Sequence, residues 1–156
     1  MLHVDDLTDG TATVEGVVSG PGLANVFEFL HTVETTSLTD TETMITELSR
    51  EDQPAAIAAA ALTGEPTAVK AVDVMLTAFG AELRQVALRC MPDGGLYIAG
   101  GIAPKLRDRM HTLVTSYTQG DLLMQELISS FPLYLVTNDD LGLLGSRVRA
   151  QRCLSQ

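Results

Sequence analysis

The chain has 156 residues, of which 46% are hydrophobic, and this is enough for one domain with a buried core. Its formal net charge of −10 argues against nucleic acid as a partner, because phosphates require a basic surface. No apolar run approaches the ~20 residues that cross a bilayer, and no signal region follows Met1, so we expect a cytoplasmic protein with no membrane partner.

The charge is unevenly distributed along the chain. Residues 1–65 contain twelve acids and a single base, Arg50, whereas residues 66–156 contain eight acids and nine bases. An anionic ligand would meet less repulsion in the second half, although an ordinary solvated acidic face explains the same pattern. The two cysteines and three histidines match no metal spacing, so we expect no metal site and reduced thiols.

The first predicted elements are short. Residues 1–12 are polar and predict a flexible N-terminal segment, and β-branched residues favour a strand over residues 13–19. The Ser-Gly-Pro-Gly sequence at residues 19–22 predicts a sharp turn, and residues 35–43 predict a threonine-rich loop. Apolar spacing predicts helices over residues 23–31, around 44–48 after a cap at Asp40 or Thr41, and over 55–62.

The longest predicted element is a helix of about 25 residues that ends near Cys90. Its apolar residues recur three and four apart, namely Val69, Val72, Leu76, Phe79, Leu83, Val86 and Cys90. Gly80 lies inside this helix, where glycine costs about 1 kcal/mol relative to alanine. Its presence predicts that another segment approaches the helix closely at that point.

Two strands and three helices are predicted after Cys90. The strands cover residues 96–99 and 132–137, and the helices begin at Pro104, cover 122–128 and cover 141–149. A sheet of two strands has two open edges, which proteins normally pair or cover. We therefore expect either that the helices bury the sheet or that another polypeptide supplies more strands.

Gly100 and Gly101 follow the first of these strands, within the sequence LYIAGGIAPK of residues 96–105. A strand, a glycine turn and a helix start form the arrangement by which α/β proteins bring backbone N–H groups against a phosphate or ribose. Because glycine has no Cβ, a ligand can approach its backbone closely. The motif alone suggests nucleotide binding, and no P-loop or Gly-x-Ser-x-Gly sequence accompanies it.

Three segments together resemble the C-terminal part of bacterial-type glucokinases, of the hexokinase and actin-like ATPase superfamily. They are VEGVVSGPGLAN (residues 14–25), GGLYIAGGIAPK (94–105) and GLLGS (142–146), and the likeness covers about residues 13–149. The resemblance implies an α/β fold, the helix-rich C-terminal half of an actin-like (ribonuclease H-like) ATPase domain with an incomplete sheet. Residues 13–156 would then form the nucleotide-side part of the large domain.

Glucokinases transfer the γ-phosphoryl group of ATP to the 6-hydroxyl of glucose, a step of glycolysis, in a cleft between two domains. The resemblance implies that Glu15 binds glucose hydroxyls, positioned by the turn at residues 19–22. It further implies that Gly100, Gly101 and Ile102 border ATP, with Mg²⁺ carried on the nucleotide. Without the resemblance, Glu15 would be read as an ordinary surface acid.

The chain also departs from this family, because it contains no catalytic residue. The family's general-base Asp, its phosphate loops and its Gly-Glu-Gly-Gly-His type sugar motif are not in the sequence, and Asn138-Asp139 mimics the base motif only superficially. Residues 118–121 replace a family Asp-Lys-Gly-Arg segment without either cation. Phosphoryl transfer requires a base and phosphate clamps.

Two functions therefore stay open. The chain is either a glucokinase part that needs an N-terminal half for activity, or a catalytically inert, glucokinase-derived oligomerisation or regulatory partner. The expected partners are glucose, ATP, and an N-terminal glucokinase half or a second copy of the chain.

Overall fold

The computed structural model describes residues 13–34, 39–138 and 140–154, and this part of the chain is rich in helix. In chain order its elements are α1 (Gly20–Glu34), α2 (Asp40–Glu47), α3 (Gln53–Thr63), α4 (Pro66–Cys90), β1 (Leu96–Ile98), a 3-10 helix (Ala103–Arg109), α5 (Met110–Tyr117), α6 (Leu122–Ser129), β2 (Leu133–Leu135) and α7 (Leu141–Leu154). The predicted helix-rich α/β architecture with a small sheet is confirmed. The predicted flexible segment, residues 1–12, lies outside the described residues.

Helix α4 is the centre of the fold and packs against α1, α3 and α5. Its 25 residues match the predicted length, and Ala71, Val72 and Leu76 on its apolar stripe are fully buried or nearly so. Small alanine side chains are buried on both α3 and α4. A smaller cluster lies beneath the sheet and contains Ala87, Tyr117, Ile128 and Phe131.

Gly80 lies where α4 crosses α5, as its place in the long helix predicted. A Cβ built on Gly80 would lie 2.3 Å from the Leu113 carbonyl oxygen and 2.9 Å from Cβ of Ser116. The hydroxyl of Ser116 donates to the Thr77 carbonyl oxygen at 2.7 Å across the same contact. The glycine is therefore required by the close approach of the two helices.

The sheet has two parallel strands, β1 and β2, and no third strand among the described residues. Leu96 pairs with Leu133, and Tyr97 pairs with Tyr134. Side chains alternate across the sheet, so Ile98 is buried while Tyr97 and Tyr134 lie on the exposed face. Their rings stack with centroids 4.8 Å apart. Both outer edges of this sheet are open in the described part of the chain, as the sequence predicted.

The strand predicted over residues 13–19 is wrong. These residues form a turn, in which the Gly16 amide donates to the Thr13 carbonyl at 3.1 Å and the Val18 amide donates to the Val14 carbonyl at 2.7 Å. Strand propensity of β-branched residues depends on a neighbouring strand, and the described residues supply none here. The backbone instead satisfies its hydrogen bonds locally.

Three helix starts also differ from the prediction. Helix α1 begins at Gly20, so residues 20–22 of the predicted sharp turn are helical. Thr39, not Asp40 or Thr41, caps α2, and its hydroxyl accepts from the Glu42 amide in a reciprocal capping box. After Pro104 the chain forms a 3-10 helix in which Leu106 departs from helical backbone angles, and regular α-helix begins only at Met110. None of the described helices combines the length and apolar content that a membrane crossing requires.

Candidate functional site

Glu15 lies in the turn that leads into α1, and its side chain is exposed. The hydroxyl of Ser19 donates to the Glu15 carbonyl oxygen at 2.6 Å and accepts from the Gly22 amide at 2.9 Å. Ser19 thus caps the first turn of α1 and holds the Glu15 backbone at the same time. The Ser-Gly-Pro-Gly sequence therefore fixes where Glu15 stands relative to the helix.

Gly22 makes this arrangement possible. A Cβ on Gly22 would lie 2.5 Å from the Val17 carbonyl carbon and 2.9 Å from the Glu15 carbonyl oxygen. Since real Cβ atoms do not approach backbone this closely, a larger residue would push the turn away from α1. The glycine motif acts here on packing within the chain.

Asn25 and Arg50 support the same turn from the other side. The buried Asn25 side chain donates from Nδ2 to the Gly16 carbonyl at 3.1 Å, and its Oδ1 accepts from Arg50 Nη2. Arg50 Nη1 also donates to Glu28 Oε2 at 2.9 Å and to Gln53 Oε1 at 3.3 Å. Neither residue has a predicted role, although Arg50 is conspicuous as the single base among twelve acids in residues 1–65.

Gly100 and Gly101 form the turn after β1. Gly100 has φ of +124°, a conformation that favours glycine. At both glycines, no described atom beyond the two adjacent residues lies within 4 Å of the position that a Cβ would occupy. The two Cα atoms therefore face open space, and Gly101 is not required by any contact with the described chain.

Three cavities surround these residues. The first has a volume of about 230 Å³ and is mainly apolar. It is lined by the Gly100–Gly101 turn, Ile102, Ser19 and Phe79 of α4. The second, of about 450 Å³, adjoins Gly101 and Ile102 on the side of α3. The third, of about 490 Å³, contains Glu15.

The three cavities adjoin one another. Ser19 lines both the first and the third, and Arg50 lines both the second and the third. Glu15 and the Gly100–Gly101 turn therefore belong to neighbouring cavities on one side of the molecule. The predicted sugar-side and nucleotide-side residues, including Ile102, are brought together.

The residues at this surface can bind both polar and apolar groups. Glu15 can accept hydrogen bonds from hydroxyl groups, and the bare glycine backbone with its apolar neighbours can receive a flat apolar group. The only carboxylates that line the three cavities, within the described part of the chain, are Glu15 and Glu51. No group of His, Cys, Asp and Glu among the described residues is arranged to hold a metal ion.

Known proteins are similar to almost the whole chain. A family model described as glucokinase matches residues 4–153. A glucokinase of Synechocystis sp. is 36% identical over 154 residues, which cover 90% of this chain and 43% of that protein. A glucokinase of Nostoc punctiforme is 34% identical over 152 residues, which cover 90% of this chain and 44% of that protein.

A solved structure has the same fold. The crystal structure of a glucokinase from an Antarctic psychrotroph superimposes with a TM-score of 0.69 and 25% sequence identity, covering 94% of this chain and 42% of that one. The chain thus spans less than half the length of these relatives. The stretch that the family model matches, residues 4–153, includes Glu15 and the Gly100–Gly101 turn.

Proposed function

Because the chain belongs to the glucokinase family, with a match from residue 4 to residue 153, we propose that it forms one side of a glucose kinase active site. In this proposal Glu15 accepts hydrogen bonds from glucose hydroxyls, while Gly100, Gly101 and Ile102 border ATP, whose Mg²⁺ arrives on the nucleotide. The reaction moves the γ-phosphoryl group to the 6-hydroxyl of glucose. We place it in the cytoplasm, as part of glycolysis.

The adjoining cavities are the observation that carries this proposal. Ser19 lines both the cavity of Glu15 and that of the Gly100–Gly101 turn. A sugar held at Glu15 would therefore lie beside a nucleotide held at the glycines, as transfer between them requires. The fixed backbone around Glu15 supports the same role, since a carboxylate that binds two hydroxyls must be held in place.

Catalysis by this surface needs groups from elsewhere. A base within hydrogen-bond reach of the attacking hydroxyl and clamps on the transferring phosphate are general requirements. We propose that a segment equivalent to the unmatched N-terminal part of the relatives supplies them. The chain alone should then stay well below the turnover of about 1–100 s⁻¹ that kinases reach.

A fusion protein tests this proposal. The N-terminal part of the Synechocystis glucokinase that this chain does not match is joined to the chain, and ADP release is measured with glucose and MgATP. We expect turnover of about 1–100 s⁻¹ from the fusion and a far lower rate from the chain alone. Comparable turnover by the chain alone would contradict the proposal.

A variant of Glu15 in the fusion, with a control variant, tests whether Glu15 acts on glucose and not on ATP. Glu15→Gln should lower kcat/KM for glucose by roughly 100-fold, because charge-assisted hydrogen bonds to hydroxyls are lost, and should leave the KM for ATP unchanged. Glu126→Gln is the matched control, since Glu126 is exposed on α6 and lines none of the three cavities. Equal effects of the two variants would argue against a sugar role for Glu15.

A second function is favoured by the exposed apolar surface. Helix α7 has no buried residue, and Leu143 and Leu154 on it are 71% and 88% exposed. Such surfaces suit an inert oligomerisation or regulatory partner. Size-exclusion chromatography with light scattering tests this alternative: a discrete homo-oligomer that does not respond to glucose or MgATP supports it, and a monomer contradicts it.

A further inference from the structure

Arg50 is the single base among the first 65 residues, and it joins two helices beside the Glu15 turn. Its guanidinium group bonds Asn25 and Glu28 of α1 and Gln53 of α3. Arg50 also lines both the cavity that contains Glu15 and the cavity that contains Gly101. None of the roles proposed above uses this side chain.

We propose that Arg50 and Asn25 are positioning residues that together hold Glu15 in the geometry for sugar binding. This inference rests on the proposed role of Glu15. A guanidinium group can only donate hydrogen bonds, so the Asn25 atom that faces Arg50 must be the carbonyl oxygen Oδ1. The amide nitrogen of Asn25 then points to the Gly16 carbonyl, 3.1 Å away.

Arg50 therefore selects one of the two orientations that an asparagine amide can adopt. In the other orientation an NH₂ group would face the guanidinium and an oxygen would face the Gly16 carbonyl, so both contacts would be lost. Asn25 is only 8% exposed, and water could not readily replace these partners. The Gly16 carbonyl and Arg50 thus favour the same direction of the Asn25 amide, and loss of Arg50 removes one of the two contacts that hold it.

The consequence for Glu15 is local and geometric. The Glu15 carbonyl accepts from Ser19 and the next carbonyl, of Gly16, accepts from Asn25. With two successive carbonyls held, the backbone on the C-terminal side of Glu15 has little freedom to rotate. The Arg50–Glu28 pair itself is nearly half exposed, at 44% and 46%, and an exposed pair of this kind adds little stability.

Amide hydrogen exchange by NMR on the full chain without ligands tests this inference. In Arg50→Met, the Gly16, Val17 and Val18 amides should exchange about tenfold faster, the effect of losing one hydrogen bond. Exchange at Val72 in the core of α4 should stay unchanged. Arg89→Met is the matched control, because Arg89 is exposed and lines none of the three cavities.

Asn25→Asp distinguishes the contact of residue 25 with Arg50 from its contact with the Gly16 carbonyl. The aspartate keeps an acceptor for Arg50 but has no donor for the Gly16 carbonyl, so the same amides should exchange about tenfold faster. Asn25→Leu removes both contacts without adding a charge, and the double variant Arg50→Met/Asn25→Leu should exchange no faster than Asn25→Leu alone, since both changes break one pathway. A further tenfold increase in the double variant would overturn the inference, as would a uniform increase that includes Val72 or no change in Arg50→Met.

In the fusion enzyme, Arg50→Met should raise the KM for glucose and leave the KM for ATP unchanged, with partial recovery in Arg50→Lys. An unchanged KM for glucose would also overturn the inference. If the wild-type fusion has no activity, the proposed function fails, while the exchange measurements still decide whether Arg50 holds the turn.

Discussion

Glu42 shows how one residue can cap its own helix, α2, and connect it to α4. It is 2% exposed, its Oε2 accepts from the Thr39 amide at 2.8 Å, and its Oε1 accepts from the Thr67 hydroxyl at 2.5 Å. Burial by itself raises the pKa of Glu42, but the hydrogen bonds from Thr39 and Thr67 and the nearby His31 outweigh it, so the pKa is lowered overall. The ionised form is therefore the one that the fold stabilises.

The pH dependence of stability follows from this pKa. A carboxyl whose pKa is lower in the folded state contributes stability above its unfolded pKa and loses it as the pH falls through the folded value. We predict that Glu42→Gln lowers the free energy of unfolding by about 1 kcal/mol at pH 7 and by less at pH 3. Urea unfolding at the two pH values measures this difference.

Glu47→Gln provides the control for this measurement, because Glu47 lies on the same helix and is exposed. Its effect should remain within about 0.5 kcal/mol, as is usual for surface substitutions. A Glu42→Gln protein that is as stable as the wild type at pH 7 would show that the hydrogen bonds of the carboxylate contribute nothing.

At this scale the sequence revealed the glycines better than the polar network. Gly100 could be recognised because a glycine pair after a strand is typical of a turn whose backbone a ligand can approach. Its positive φ agrees with such a glycine turn. Asn25 could not be recognised, because its two partners lie nine and twenty-five residues away and only the fold brings them together. Long-range side-chain contacts leave no local pattern in a sequence.

At the scale of elements, the crossing of α4 and α5 depends on Gly80. We predict that Gly80→Ala destabilises the protein by about 1–3 kcal/mol, because the new methyl group would overlap the Leu113 carbonyl. The better helix propensity of alanine, about 1 kcal/mol, opposes this effect and does not cancel it. Thermal and urea unfolding measure the net change.

Gly145→Ala is a suitable comparison for this prediction. Gly145 also lies within a helix, yet apart from its chain neighbours and the backbone of its own helix no described atom lies within 4 Å of its Cβ position. Only the gain in helix propensity should then remain, and the unfolding midpoint should not fall. If both alanine variants gave the same unfolding midpoint, the close packing at Gly80 would contribute nothing to stability.

The elements that were predicted well are those in which the apolar pattern repeats over many residues. The apolar stripe of α4 repeats over seven positions, and its predicted length agrees with the structure. Residues 13–19 offered only propensity over a short stretch, and local hydrogen bonds prevailed over it. The 3-10 helix that includes Pro104 was not predicted, because a proline near the first position favours the start of a 3-10 helix and of an α-helix alike.

At the scale of the whole molecule, α7 stands apart from the core. No residue of this 14-residue helix is buried. We predict that removing residues 139–156 lowers the free energy of unfolding by only about 1 kcal/mol, because no residue of α7 is buried and only Leu141, Leu144 and Val148 are about half covered. Urea unfolding at two protein concentrations measures this change.

The concentration dependence distinguishes the two functions that we propose. A loss of stability on truncation that grows with protein concentration would show that α7 packs against a second copy. A helix of this length is only marginally stable alone in water. The helical content of the free chain by circular dichroism should therefore rise when α7 gains a partner.

The stacked tyrosines on the open sheet have a practical consequence. The chain has no tryptophan and only three tyrosines; two of them form the stack of Tyr97 and Tyr134, and the third, Tyr117, is buried. Two of the three tyrosines that contribute to the intrinsic fluorescence therefore lie at one outward-facing site on the sheet. A polypeptide that lay over that site would alter the signal, so mixing experiments can follow its arrival without an attached dye.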